Sequence, residues 1–240
     1  LGIRIFFARL ASGSLEVNGQ SADFKDELGF TEDPEPFKEL LTELYIDRIG
    51  LRLAVEENRR IQGRVGSIID TGNPSFIPEL DFGGTRVGLD IDLIRHPMLR
   101  LGIDADYAKD TITFKDRGST FSAFGFGSRV RQIKGANPIT IGVHGRAMPG
   151  RIRDVPITLQ GRFRIPLPGL NRPTESKITD WEISTGLRPV IWDTSLYGHG
   201  TFSFDVEIGY RSTSLEMSGH NDEKVKARWH GAFVNVGFQY

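Results

Sequence analysis

The side chains able to do chemistry here are few. Five histidines, His96, His144, His199, His220 and His230, are the residues best suited to general-base work near neutral pH. None stands in a metal-binding spacing such as HExxH. There is no cysteine, hence no thiolate ligand and no disulfide framework. The run Ser218-Gly219-His220-Asn221-Asp222 holds a hydroxyl, an imidazole and a carboxylate. Those are the parts of a hydrolytic nucleophile, its base and an orienting group. Side chains this close in sequence seldom reach that geometry, so a polar loop is the plainer reading. His144, beside Arg146, is a base or simply a member of a polar core. Asp90-x-Asp92 and Asp104-x-Asp106 offer acid–base carboxylates or ligands for a hard cation. Arginines of matching parity make ion pairing the stronger reading. No phosphate loop, dinucleotide fingerprint or nucleophile elbow occurs. The catalytic candidates are therefore His144, Ser218, His220 and Asp222, with no metal and no cofactor expected.

The elements that must position these groups alternate in polarity from end to end. Ile49, Leu51, Leu53 and Val55 oppose Arg52 and its neighbours. Val87, Leu89, Ile91 and Leu93 oppose Arg86, Asp90 and Asp92; Leu99, Leu101 and Ile103 oppose Arg100, Asp104 and Asp106. The same pattern marks 61–69, 139–146, 155–165, 181–188 and 202–211. Period-two alternation is the signature of a strand with two unlike faces. With strands near 2–17 and 224–240, about ten are predicted, or twelve if 119–130 also forms strand. Short links are predicted at Glu57-Asn58, His96-Pro97, Pro149-Gly150 and Asp193–His199. Longer ones are expected at 18–44, 70–84, 108–137, 166–177 and 213–223. Segment 33–45 is the one helical pattern. Asp33 is a candidate cap, and Phe37, Leu40, Leu41 and Leu44 share a helical face. It is expected to lean on the sheet as a loop helix or to act as a lid.

Cation usage distinguishes the two faces. The chain has 22 arginines and 8 lysines. The lysines fall in predicted loops or at strand ends, the arginines in strand middles. Arginine is planar, multidentate and less strongly hydrated than lysine, which suits enclosed ion pairs. Glycines such as Gly50, Gly88, Gly102, Gly142, Gly186 and Gly209 share the polar parity and leave room for guanidiniums. The pattern predicts a closed sheet with a mostly occluded, charged lumen. Its members would be Arg52, Arg64, Arg86, Arg100, Arg162, Arg164, Arg188 and Arg211 against Asp90, Asp92, Asp104, Asp106, Glu182, Asp205 and Glu207. The apolar face would meet lipid. Two aromatic pairs, Trp181/Trp192 and Trp229/Tyr240, bracket strands in the manner of an interfacial girdle. No stretch approaches the roughly 20 apolar residues of a membrane helix. A mean hydropathy of −0.26 still suits alternating membrane strands. A net charge of −1 gives no general case for nucleic acid. A chain opening on Leu1 is expected to be a processed form if it is exported.

The last strand is the most specific segment. Ala232, Val234, Val236, Phe238 and Tyr240 lie on one parity, and Gly231, Asn235, Gly237 and Gln239 on the other. It resembles the C-terminal signal of Gram-negative outer-membrane β-barrels, with Tyr240 in place of the commoner phenylalanine. The resemblance implies an all-β, up-and-down antiparallel transmembrane barrel in one domain, 1–240. Long extracellular loops would lie on one side and short periplasmic turns on the other. It implies integral placement in the bacterial outer membrane among lipid and lipopolysaccharide. Insertion would be by the barrel-assembly machinery, with Val234, Val236, Phe238 and Tyr240 as the signal. The leading functional expectation is a structural or interaction barrel whose loops bind an envelope protein. The alternatives are a small channel or transporter for polar solutes, and a lipid-modifying or proteolytic hydrolase.

Overall fold

The computed structural model describes residues 1–17, 20–26, 30, 35–46, 48–56, 59–62, 78–116, 130–134, 139–167, 176–193, 201–218 and 224–239. All its regular structure is strand: β1 (Gly2–Val17), β2 (Gln20–Asp23), β3 (Glu35–Ile46), β4 (Ile49–Glu56), β5 (Arg59–Gln62), β6 (Pro78–His96), β7 (Leu99–Asp116), β8 (Val130–Lys134), β9 (Ile139–Ile152), β10 (Val155–Pro166), β11 (Ser176–Leu187), β12 (Val190–Asp193), β13 (Thr201–Ser218) and β14 (Lys224–Gln239). Pairing runs β4–β3–β1–β14–β13–β11–β10–β9–β7–β6 and returns to β4, antiparallel throughout. The short strands β2, β5, β8 and β12 prolong this ring by pairing with β1, β6, β7 and β13. The result is a closed ten-stranded barrel. Closure matters because an open edge would leave a row of backbone donors and acceptors unpaired, at a high cost in lipid. The last strand meets the first from Gly2↔Gly237 to Glu16↔Lys224.

Three local expectations are corrected. Segment 33–45 holds no helix among its described residues; 35–46 is β3, paired with β1 on one side and β4 on the other. Its helical spacing and its Glu, Lys and Leu content are real. However, without this strand β1 and β4 would each expose an edge, and closure overrides local propensity. The segment is barrel wall, not a lid. Second, Glu57-Asn58 lies outside the described residues, and the strands on either side of it, β4 and β5, both pair with β6 rather than with each other. The hairpin at this end is that of β3 with β4, whose pairing runs to Ile46↔Ile49. The expected count of ten thus stood on two errors that cancelled: one strand missed, one split in two. Third, β9 runs through Pro149 and Gly150, and its hairpin to β10 turns at Arg153 and Asp154. Their φ angles of 46° and 69° are the left-handed pair a two-residue type I′ turn requires. The 119–129 stretch lies outside the described residues.

The outer surface carries a broad apolar band. Ile3, Ile5 and Phe7 on β1, Val87, Leu89 and Ile91 on β6, and Ile208 and Tyr210 on β13 are among its exposed residues. Toward the long-loop end the alternation inverts. Beyond Tyr210, β13 turns Ser214 and Glu216 outward and buries Leu215 and Met217; β14 turns Lys224, Lys226 and Arg228 outward and buries Val225, Ala227 and Trp229. Trp229 is therefore a core residue, only 4% exposed, and not part of a girdle. Trp181 does face outward, its ring 5.8 Å from that of Tyr210.

Candidate functional site: a charged lumen

The barrel interior has two fillings. At the long-loop end lies an apolar cluster that includes Leu10, Leu15, Phe24, Phe30, Ile178, Leu215, Met217, Val225 and Trp229. Phe24 and Phe30 come from the connection between β1 and β3. The Phe24 N–H donates to the Gly13 carbonyl, and the Phe30 N–H to the Phe24 carbonyl, each at 2.9 Å. Gly13 is required there, since a Cβ would stand 2.2 Å from the Phe24 ring. Two rings fit edge to face at 5.4 Å. Phe24 and Phe30 of this connection fill the long-loop end of the lumen, joined from the barrel wall by Phe37 of β3.

Beneath it lies an ion-pair network. Asp180, from β11, is its hub. Its carboxylate accepts from Arg86 and Arg164 at 3.1 Å, from both Nε and Nη2 of Arg211 at 3.0 Å, and from the Thr213 hydroxyl at 3.1 Å. Arg4 on β1 reaches Glu182 at 2.9 Å and Glu39 at 3.3 Å. The guanidiniums of Arg4 and Arg211 also lie over Phe233 and Phe6, at 4.4 and 5.9 Å from the ring centroids. These cation–π contacts join the charged filling to the apolar one. A second knot joins Arg52, Arg162 and Arg164 to Asp90, Asp104 and Asp106. Arg162 reaches Asp90 at 3.0 Å and Asp104 at 3.2 Å; Arg164 reaches Asp104 and Asp106 at 2.9 Å; Arg52 pairs with Asp106 and Asp90. Small residues make the room. A Cβ on Gly88 would stand 2.5 Å from Arg52 Nη2.

Toward the short-turn end the packing loosens. Arg188 grips Asp205 with two bonds, the longer 2.8 Å. Glu207 accepts from Gln160 and, at 3.1 Å, from Asn235. His144 meets Asp92 through Nε2 at 3.1 Å. Asp90, Asp104 and His144 bring ligand atoms within 4.8 Å of one another, but both carboxylates already accept from arginines.

No protein-family model matches the chain, and no curated protein matches it significantly. Several solved outer-membrane barrels do resemble it. The outer-membrane protease OmpT of Escherichia coli shares 13% identity at a TM-score of 0.43, over 98% of this chain and 95% of that one. The transport unit of the autotransporter AIDA-I, also from E. coli, shares 11% at 0.37, over 100% and 90%. The toluene transporter TbuX of Ralstonia pickettii shares 10% at 0.33, over 100% and 73%. At these values the likenesses carry no functional inference. The barrel is read from its own strand pairing, and a closed antiparallel barrel with an apolar exterior is the architecture of this class.

The network gathers Arg52, Arg86, Asp90, Asp104, Asp106, Arg162, Arg164, Glu182 and Arg211 of the expected lumen set. Arg100 stands apart at the short-turn mouth, with no ion pair among the described residues; Arg64 lies outside them. Sequence reading missed Arg4, Glu39 and Asp180. Of the catalytic candidates, the described pair His144 and Ser218 is not brought together. His144 faces the lumen, whereas Ser218 ends β13 on the outward parity, opposite to Met217. His220 and Asp222 lie outside the described residues. Val234 and Phe238 face outward on β14; the Tyr240 side chain is not among those described.

Proposed function

We propose that this chain is an integral outer-membrane barrel with a structural or interaction role. One observation carries the reading: the lumen is filled twice, by arginine–carboxylate pairs across its middle and by aromatic and aliphatic side chains at its long-loop end. A wall so filled is a scaffold, and what it presents is its long connections. In this reading lipid and lipopolysaccharide surround the apolar band, the barrel-assembly machinery inserts the chain, and an envelope protein docks on the loops.

Planar-bilayer recording on purified protein tests it, after a heat-dependent shift on an SDS gel has shown the barrel to be folded. Wild-type protein is expected to give no steady conductance steps. Steady steps whose size changes in Asp104→Ala would overturn the scaffold reading and favour the channel.

A further inference from the structure

On the outside of the barrel, β14 can be followed row by row with its neighbours β13 and β1. Val234 stands directly opposite Ile208 on one side and Ile5 on the other, and Ala232 opposite Tyr210 and Phe7. These rows belong to the apolar band. In the next row His230 stands opposite Ser212 and Arg9, and in the one after it Arg228 opposite Ser214 and Ser12. Residues directly opposite in an antiparallel pair share a face. From Arg9 to Ser12 is an odd step, which would turn Ser12 inward in a regular strand. The register shift between Leu10 and Ser12 absorbs the extra residue and keeps both outside. On these three strands Arg9 and Arg228 are thus the first permanent charges beyond the band. Aromatic rings mark the boundary. Tyr210 and His230 meet edge to face with centroids 5.9 Å apart, and Trp181 lies 5.8 Å from Tyr210. Rings with a polar edge are favoured where hydrocarbon gives way to headgroups.

The acids of this outer face are engaged elsewhere. Among the described residues of β1, β2, β11, β13 and β14, the outward carboxylates are Glu16, Asp23 and Glu216. Glu216 holds Lys226 at 3.3 Å, and Glu16 lies 3.9 Å from Lys224. Asp23 accepts the N–H groups of Lys25 and Asp26 in its own turn, at 2.8 and 3.0 Å. Arg9 and Arg228 are both exposed, and among the described residues neither forms an ion pair. They stand diagonally across β1 and β14, a placement that sets Cβ atoms roughly 7–8 Å apart. Arginine side chains are long enough for both guanidiniums to meet on one anion between them. His230, half-buried between the two on the same face, adds an imidazole N–H.

We propose that Arg9 and Arg228, with His230 between them, hold a phosphate of lipopolysaccharide at the rim of the apolar band. The inference rests on the outer-membrane placement proposed above. Phosphate suits the donors, because its several oxygens accept from two guanidinium forks at once. A lipid suits the place, because the site continues the band. Acyl chains would descend along Phe7, Ile5, Val234 and Ile208, all exposed, while the headgroup stays level with the arginines. A soluble anion would gain nothing from that wall. Arg9 and Arg228 lie toward the long-loop end, which faces outward in barrels of this class, and lipopolysaccharide is the phosphorylated lipid of that leaflet.

Native mass spectrometry of the folded barrel from uncharged detergent tests it. One titration uses diphosphoryl lipid A, the other lipid A stripped of phosphate but with the same acyl chains. The phosphorylated lipid is expected to be retained saturably, and the stripped lipid about tenfold more weakly or worse. Arg9→Gln and Arg228→Gln, both at exposed positions where folding is not at stake, are each expected to weaken retention about tenfold, from the loss of one charged hydrogen-bonding partner. Lys224→Gln, further along the same face and beside Glu16, is expected to bind as wild type does. Equal retention of the two lipids, retention unchanged in both arginine variants, or displacement of the lipid by an equal concentration of inorganic phosphate overturns the proposal. The heat-dependent gel shift accompanies every sample. A wild-type protein without that shift would remove the membrane reading and the site together, whereas a shifting barrel without phosphate-dependent binding removes the site alone. Steady conductance would overturn the scaffold reading and leave the site standing.

Discussion

The two halves of β13 make the most instructive comparison in this molecule. From Ser203 to Arg211 the inward residues are Ser, Asp, Glu, Gly and Arg, while Phe204, Val206, Ile208 and Tyr210 look out. From Ser212 onward Thr213, Leu215 and Met217 look in, while Ser214, Glu216 and Ser218 look out. The backbone is continuous, and β14 is the partner throughout. What changes is the medium that the outer face suits. Where it suits lipid, burying apolar side chains inside gains little, and the interior is closed by charge pairing. Where it suits water, the strand behaves as in a soluble sheet and packs apolar side chains inward. One barrel thus contains two kinds of core.

The largest expected effect comes from breaking the charged core at its hub. Asp180→Ala leaves the guanidiniums of Arg86, Arg164 and Arg211 facing a void where their shared acceptor stood. Removing one partner of a buried ionic set costs about 3–5 kcal/mol, because charge remains buried without compensation. The urea midpoint of the barrel in detergent is expected to fall accordingly. A midpoint near wild type would mean that water already reaches the network. The next effect sharpens the boundary itself. Ile208→Arg, in the outer band, is expected to cost about 2–4 kcal/mol of folding free energy in a lipid bilayer; Ser214→Arg, three rows of side chains further along the same face, is expected to cost about 0–1 kcal/mol. Equal costs would erase the distinction between the two halves.

Much of this was legible in the sequence, for a physical reason. Two unlike faces impose a period of two wherever a strand separates lipid from a polar interior, and the strands 87–93, 99–107 and 202–211 show it plainly. The arginine-over-lysine partition pointed to enclosure on the same grounds. What escaped did so where that contrast fails. Arg4 lies in a strand whose inward side soon becomes Phe6, Ala8 and Leu10, so both faces read as apolar. Asp180 sits one residue before the alternation of β11 becomes visible. Glu39 was hidden in a segment whose leucines fit a helix as well as a wall.

The smallest expected effect tests whether the overhanging half is truly a water-facing sheet. Glu216 and Lys226 are direct cross-strand partners, 3.3 Å apart, with side chains 39% and 59% exposed. Arg211 meets Asp180 in two bonds at 3.0 Å, so both that tighter grip and its burial set the hub apart from this single contact. In water such a pair is worth about 0.2–1 kcal/mol, because both ions keep most of their hydration and give up side-chain freedom to meet. A double-mutant cycle with Glu216→Ala and Lys226→Ala is expected to return a coupling in that range, and one that shrinks as salt screens it. The buried hub should keep its coupling in the same salt series, since counterions do not enter it. If the Glu216–Lys226 coupling proved large and insensitive to salt, the far end of β13 would lie in a low-dielectric medium. The inversion of its faces would then need a cause other than the passage from lipid to water.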